Sequence, residues 1–482
     1  MSKQLTRSTK PKLGAKIRRL RRVGGMTQAK LAGQLGISAS YLNLIEHNNR
    51  NVTVGLLLRL ADHFGLDLSD LAEDEEGRLI GDLMEVFGDD MFEALDLTTV
   101  DVRELVSATP TGAKAVLALY DAYRKTQTNV LALTEQVSDE ASVLLDFESH
   151  LPAEQVSDFI QENANHFPDI EAEAERIRAE AGLGSADPFA AIAQYAKVTF
   201  AIRVAILPPA LGVETARRYD ATNRTLEISE LLPAGSQVFQ LAHQIGLLAV
   251  SPVFDMLLNE GGLNEGEART LGRVALANYF AAALLMPYEA FLESAKALRY
   301  DVELMQTHFG ASFEQICHRL TTLQRPGNKG VAFHMLRVDI SGNISKRFSL
   351  SGLRIPRYGG ACPRWNIYAA FLSPGMVNAQ ISTMADGEKY FCIARTIHNR
   401  VGGYGAPQSY LSIGLGCALN DARALVYADG IDLKNPDGGI PAGTQCRTCE
   451  RMDCRQRAFP PVYHRLNINE NVRGLSAYVS TG

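Results

Sequence analysis

The stretch Met26-Thr-Gln-Ala-Lys-Leu-Ala-Gly-Gln-Leu-Gly-Ile-Ser-Ala-Ser-Tyr-Leu-Asn-Leu-Ile-Glu46 decides how the first domain folds. Thr27 is placed to cap a helix whose inward positions are Leu31 and Leu35. Gly36 supplies the turn, and Ser38 caps a second helix that points Leu42 and Ile45 inward. Upstream, Leu13, Ile17 and Leu20 mark the buried face of a preceding helix that also carries Arg18, Arg19, Arg21 and Arg22. Downstream, a fourth helix begins near Thr53 and buries Leu57, Leu60 and Ala61. A helix, a short Gly-containing turn and a second helix make helix-turn-helix geometry, in which the second helix enters the major groove N-terminus first. Ser38, Ser40, Tyr41 and Asn43 are then the candidate base-contacting side chains, because Ser bonds several base edges and Asn pairs bidentately with adenine. Thr27, Gln28, Lys30 and the arginines of the preceding helix are placed for phosphates.

Charge supports this reading. Residues 1–65 hold 12 Lys and Arg against Glu46 and Asp62, a net +10 that leaves −16 for the rest of a chain whose total is −6. A basic head on an acidic body fits a nucleic-acid binder. From Leu66 to Pro110, 14 acids face only Arg78 and Arg103, as expected of a connector that stays off DNA. The length of 482 residues suggests two to four domains. No run of about 20 apolar residues exists, and no apolar segment follows the basic N-terminus, so a cytoplasmic location is expected.

Beyond the connector, the pattern is helical from Thr111 to about His150, a candidate dimer stalk or core helix. Helices are expected at Gln155–His166, Ile170–Ala181, Ser236–Val250 and Ala268–Met286, with a strand at Val198–Ile206. A hairpin is expected between Arg217–Tyr219 and Thr225–Ile228, and another between Gly330–Ile340 and Ile344–Leu350 across Ser341-Gly-Asn343.

The segment Phe239-Gln-Leu-Ala-His-Gln-Ile-Gly-Leu-Leu248 invites comparison with a zinc peptidase helix. That chemistry needs two histidines at i and i+4 with a Glu between them. His243 is present, but the base position is Gln244 and the second histidine position is Leu247. Gln cannot act as a general base at neutral pH, and Leu cannot bind metal. A peptidase fused to a helix-turn-helix is therefore the weaker alternative. Arg319, Arg325 and Lys329 follow in a Gly/Pro-containing stretch and are candidates for meeting phosphates.

Six of the seven cysteines lie from Cys362 onward. Cys446-Arg-Thr-Cys449-Glu-Arg-Met-Asp-Cys454 is C-x2-C-x4-C, spacing that lets sulfurs converge on one metal. Zinc and iron–sulfur sites normally take four ligands. Cys362, in Gly359-Gly-Ala-Cys-Pro-Arg-Trp365, is the preferred fourth, with Cys392 and Cys417 read as buried thiols that remain alternatives. Spacing alone leaves zinc and a [4Fe–4S] cluster open.

The Met26–Glu46 stretch resembles the phage-repressor (XRE) helix-turn-helix family. The region around His243, with Ala277-Asn-Tyr-Phe-Ala-Ala-Ala-Leu-Leu-Met-Pro287, resembles the ImmA/IrrE metallopeptidase-like fold. There Leu276 stands at a further acidic-ligand position, which implies a retained fold without its chemistry. Together with Asn165-His-Phe-Pro168, Ser229-Glu-Leu-Leu-Pro233, Gly360-Ala-Cys-Pro-Arg-Trp-Asn366 and Cys446–Pro461, the chain resembles the short-chain fatty acyl-CoA transcriptional regulators. The fold class expected is multidomain. An all-α helix-turn-helix head (1–70) and acidic helical linker (71–150) precede an α+β sensor region. That region holds a degenerate zincin-like domain (151–330) and a Cys-rich metal-binding C-terminal domain (331–482). The resemblance implies a DNA-binding regulator of propionate or acetate metabolism genes that senses a short-chain acyl-CoA. Its tail would hold a [4Fe–4S] cluster on Cys446, Cys449, Cys454 and Cys362, with redox sensing as a further alternative. Candidate effector contacts are Arg218, His243, Tyr279, Arg319 and Arg325. A homodimer on a double-stranded DNA operator is expected from helix-turn-helix geometry.

Overall fold

Apolar side chains buried along the helices and strands gather the chain into two compact units, residues 1–79 and 80–482. The computed structural model describes residues 17–18, 21, 26–46, 50, 52–64, 75–95, 97–136, 152–184, 187–208, 215–356, 360–400, 408–435 and 438–460.

In the first unit, α1 (Gln28–Gln34), α2 (Ala39–Glu46) and α3 (Val54–Phe64) pack Ile17, Leu31, Leu35, Leu42, Ile45, Leu56 and Leu60 into one core. Each such side chain withdrawn from water contributes about 1.5–3 kcal/mol. Gly36, at φ 64°, makes the turn between α1 and α2, a left-handed conformation that favours glycine. Leu13, Leu20, Arg19, Arg22 and the side chains of Leu57 and Ala61 lie outside the described residues.

The connector contributes α4 (Glu75–Val86), α5 (Thr99–Ala108) and α6 (Pro110–Gln136). Thr98 and Asp101 form a reciprocal capping box at the start of α5. The expected extension of α6 to His150 lies outside the described residues.

Next come α7 (Pro152–Glu162), α8 (Pro168–Glu180) and α9 (Pro188–Phe200). Pro168 and Pro188 stand in the first turns of α8 and α9, where a missing N–H costs nothing. The strand expected at Val198–Ile206 is corrected here. Val198 to Phe200 close α9, Ala201 takes φ 55° as its cap, and β1 runs only from Arg203 to Leu207. The β-branched side chains alone did not mark that helix end. β2 (Arg217–Asp220) and β3 (Thr225–Ser229) form the expected hairpin, with β3 central and β1 parallel to it. Then α10 (Ala234–Ala249), α11 (Ser251–Glu260) and α12 (Gly266–Leu285) cover this sheet in one apolar cluster.

The helices α13 (Tyr288–Ala297), α14 (Val302–Phe309) and α15 (Phe313–Thr321) lead to a second sheet. Its strands are β4 (Phe333–Asp339), β5 (Ile344–Ser349), β6 (Asn378–Thr383), β7 (Lys389–Arg400), β8 (Gln408–Ala418) and β9 (Ile440–Pro441), in the order β5-β4-β8-β7-β6-β9. Successive side chains on a strand face opposite sides. Phe333, Met335, Phe391, Ile393, Ile413 and Leu415 therefore join α13–α15 in one core. Leu336, Val338 and Ala394 meet Trp365 and Ile367 in another. The expected boundary near residue 330 falls inside the first of these cores. No single described helix is long and apolar enough to cross a membrane.

Candidate functional site

The DNA-facing candidates stand on α1 and α2. Thr27 Oγ1 accepts from the Lys30 amide at 3.2 Å, and Ser38 Oγ accepts from the Tyr41 amide at 3.1 Å. Each hydroxyl satisfies a donor that the helix itself leaves unpaired. Lys30, Ser40 and Asn43 are exposed, and Tyr41 is half-buried with the Arg50 guanidinium 5.7 Å from its ring centre. Gln28 Nε2 donates to Asn43 Oδ1 at 3.2 Å and to Glu46 Oε2 at 2.8 Å, joining the two helices. Arg21 is not placed for phosphate. Its guanidinium donates to both Glu46 oxygens, at 2.6 and 3.0 Å, and Glu46 is buried. Arg18 donates to the Glu46 carbonyl at 3.0 Å. These arginines pin the preceding helix to α2.

The peptidase-like helix α10 presents one histidine to one arginine. Arg217 Nη1 donates to His243 Nδ1 at 2.7 Å and to the Gln240 carbonyl at 3.1 Å. The opposite side of the ring is bonded to the Val274 backbone. Burial and the Arg217 charge push the His243 pKa down to about 4, so the ring is neutral at pH 7. Gln244 is buried, Leu276 is buried, and Leu247 packs against the same apolar cluster. A cation therefore occupies the histidine's lone pair, which a zinc ion would need.

Sequence reasoning named Arg218 as an effector candidate and did not single out Arg217. On a strand a shift of one residue exchanges faces, and Arg218 is exposed on the other side of β2. Period-two alternation with the buried Leu226 and Ile228 of β3 was the signal that could have found Arg217.

Two other effector candidates are corrected. Arg319 is fully buried and grips Glu171 through two bonds, at 2.6 and 2.9 Å. It also donates to the Met286 carbonyl and to Thr322 Oγ1. Tyr279 donates to Glu171 Oε1 at 2.7 Å and is buried. Burial pushes the Glu171 carboxyl up, but the Arg319 charge and these hydrogen bonds outweigh it and hold the group below its usual range. The network joins α8, α12 and α15, and both donors are spent inside it. The Asn165-His-Phe-Pro168 motif serves the same junction. Asn165, at φ 50°, donates to Thr321 Oγ1 at 2.8 Å, and the Phe167 ring meets Tyr279 edge-on. Arg325 stays partly exposed, 4.1 Å from the Tyr288 ring centre and hydrogen-bonded to Glu289.

In the tail, Cys362, Cys446, Cys449 and Cys454 line one pocket, together with Gly443, Arg451 and Arg457. The Gly443 amide donates to Cys362 Sγ at 3.5 Å, and the Ala458 amide to Cys446 Sγ at 3.4 Å. Burial pushes the Cys362 thiol up, and the neighbouring Cys446 and Cys449 add to this. Among the described residues, no three His, Cys, Asp or Glu side chains already stand as a metal-holding group. The chemistry of the donor set nonetheless fits a thiolate-bound metal. Four cysteines line one pocket, and backbone amides donate to the sulfurs of two of them. The Gly360-Ala-Cys-Pro-Arg-Trp-Asn366 motif builds one wall. The Cys362 amide donates to the Thr444 carbonyl at 2.8 Å, and the Trp365 indole to the Gly443 carbonyl at 3.0 Å. Cys392 instead lies 3.3 Å from His334 Nε2 beneath the sheet, and burial pushes its thiol up to about 12. Cys417 is buried in β8.

Comparison with known proteins matches these parts in the same order. A helix-turn-helix domain family matches residues 12–73, the IrrE N-terminal-like domain matches 199–321, and the family "Short-chain fatty acyl coenzyme A regulator, C-terminal" matches 322–478. The HTH-type transcriptional regulator RamB of Mycobacterium tuberculosis is 39% identical, over 98% of this chain and 99% of its own. A propionyl-CoA carboxylase regulator of Cereibacter sphaeroides is 38% identical, over 96% of this chain and 98% of its own. A solved Mycobacterium tuberculosis transcriptional regulator is 37% identical and superposes with a TM-score of 0.66, covering 68% of this chain and 99% of that one. With a helix-turn-helix head, an IrrE-like middle and a matching C-terminal region in one nearly full-length alignment, the chain belongs to the short-chain fatty acyl-CoA regulator family.

Proposed function

We propose that the chain is a DNA-binding transcriptional regulator whose larger unit takes a short-chain acyl-CoA as effector and controls genes of short-chain fatty acid metabolism. The observation that carries this reading is the pairing of an exposed recognition helix with a peptidase-like helix whose histidine is closed by Arg217. Ser38, Ser40, Tyr41 and Asn43 contact base edges; Thr27, Gln28 and Lys30 meet phosphates. Arg218, exposed, and Arg325, half-buried beside Tyr288 and Glu289, are the cations proposed for the effector's phosphates, with His243 beside Arg217 in the same domain. The protein acts as a homodimer on paired half-sites, and no catalysis is assigned to it. The test is operator affinity across acetyl-, propionyl- and butyryl-CoA. A change of at least fivefold for one of them supports the reading, and linkage requires operator DNA to change that acyl-CoA's affinity by the same factor. Identical operator affinity with every acyl-CoA overturns it. Metal-dependent cleavage of a protein substrate, lost in His243→Ala, would restore the peptidase alternative.

We further infer that Cys362, Cys446, Cys449 and Cys454 hold a [4Fe–4S] cluster, with zinc as the alternative. When bound, the cluster supplies a redox-active centre, and zinc a structural cross-link. Anaerobic purification with iron, sulfide and zinc analysis separates them. About four iron and four sulfide per chain, lost in Cys449→Ser, support the cluster; one zinc supports the alternative; no metal overturns both. Redox control of DNA affinity is favoured by one contact. Thr99 Oγ1 in the connector donates at 3.1 Å to Glu450 Oε1, which lies between Cys449 and Cys454. Operator affinity indifferent to oxygen while the cluster degrades would exclude such control.

A further inference from the structure

We infer that Arg457 is the positioning residue of the cysteine pocket, closing the Cys446–Cys454 loop by its backbone and offering a buried N–H to the net-negative assembly that the thiolates and their metal would form. This rests on the metal reading above. Arg457 is 5% exposed and lines the pocket with all four cysteines. Its Nη1 donates to the Cys446 carbonyl at 2.5 Å. Its Nη2 donates to the carbonyls of Cys449 at 2.7 Å and Arg451 at 2.6 Å. One planar guanidinium thus ties together the backbone at two cysteines of the C-x2-C pair and the turn after it. The loop needs such a tie, because the only regular structure between Ile440 and Pro460 is the two-residue β9.

The third nitrogen makes this more than a brace. Arg457 Nε is buried and has no hydrogen-bond partner. An unsatisfied buried donor on a charged group has given up its water without recompense, and native folds rarely leave one without a purpose. Four thiolates around a metal or cluster carry net negative charge, and a guanidinium N–H beside them is the complementary partner. Donors to ligand or cluster sulfur stabilise the more reduced, more negative state.

A neighbouring arginine provides the contrast. Arg451 also lines the pocket, yet it donates to the carbonyls of Ala442, Thr383 and Met384 and so anchors the loop to the second sheet. Its Nε is satisfied by Ala442. Arg451 fixes where the loop sits; Arg457 fixes how the loop holds itself and what charge it faces.

The experiment compares wild type, Arg457→Gln, Arg457→Lys and Arg451→Gln in the full-length chain, purified without oxygen. It measures metal per chain, the rate of metal loss to a chelator and, for iron–sulfur protein, the midpoint potential. Thermal unfolding checks that each variant is folded. The expected result is metal release about tenfold faster in Arg457→Gln, the size of effect usual for partners of metal ligands, with a lowered midpoint potential. Arg457→Lys keeps the charge but not the four-carbonyl grip, which includes the Phe459 carbonyl at 3.4 Å, and should recover the potential more than the release rate. A metal-loaded wild type beside an Arg457→Gln with the same release rate and potential overturns the inference alone. Equal faults in Arg457→Gln and Arg451→Gln reduce Arg457 to a general brace and also overturn it. A wild type with no metal overturns the metal reading itself.

Discussion

The peptidase-like helix α10 and the cysteine tail handle chemistry in opposite ways. In α10 the two-histidine pattern of a zinc peptidase is missing and the fold stands. His243 faces Arg217, Gln244 and Leu276 are buried, and the surrounding apolar cluster is continuous. In the tail the chemistry-bearing cysteines are all present, but little regular structure holds them. Arginine donors and backbone N–H groups do that work. Side chains on a helix can be exchanged while its apolar face keeps packing. A loop site depends on each tie that closes it.

The largest expected effect tests what holds the peptidase-like region up. Arg319→Met should destabilise the larger unit by about 3–5 kcal/mol, because Glu171 is left as an uncompensated buried charge. The double variant Arg319→Met with Glu171→Leu should recover most of that loss, since it removes both charges. Urea unfolding followed by circular dichroism measures both, and equal loss in the single and double variants would refute the ion-pair account.

A smaller effect on stability but a specific one on metal is expected in the tail. A Cβ placed on Gly443 would sit 2.7 Å from Cys449 Sγ, closer than real contacts allow. Gly443→Ala should therefore displace the sulfur and cut metal content several-fold, with unfolding shifted by no more than about 1 kcal/mol, within the usual range for a single substitution. Full metal content in that variant would show that the pocket yields without cost.

The smallest effect concerns His243. Its folded pKa of about 4 lies below the ordinary 6.5, so the neutral ring contributes stability that is complete above about 6.5 and is lost as pH falls through that window toward 4. Arg217→Leu removes one of the two causes. The His243 pKa should rise yet stay below 6.5, because burial is the larger cause. Nuclear magnetic resonance titration of the ring reads this directly, and an unchanged pKa would show that the arginine does not act on it.

Much of the architecture was legible in residues close together in sequence. Thr27 and Ser38 cap their helices through bonds three residues long, and the hairpin at Thr222-Asn223 and the one at Gly342 follow local turn chemistry. That α10 lacks the zinc-peptidase ligand pattern was readable from Gln244 and Leu247, because helical spacing fixes which positions a metal needs. Cys362 was read from its motif as a fourth metal ligand; the fold sets it on one pocket with Cys446, Cys449 and Cys454, where no metal-holding group already stands among the described residues.

What the sequence by itself determined, then, was the helix-turn-helix, the helix with one histidine of the peptidase pattern and the cysteine spacing, all set by spacing within one element. The tertiary structure decided the partners. It paired Arg319 with Glu171 across 148 positions, aimed Arg217 instead of Arg218 at His243, spent Arg21 on Glu46, and wrapped Arg457 around the cysteine loop. An arginine is long and polar at one end, and its sequence neighbours do not fix its partner. Only the packed chain decides which carboxylate or carbonyl stands within hydrogen-bond reach, since burying an unpaired guanidinium is too costly to persist.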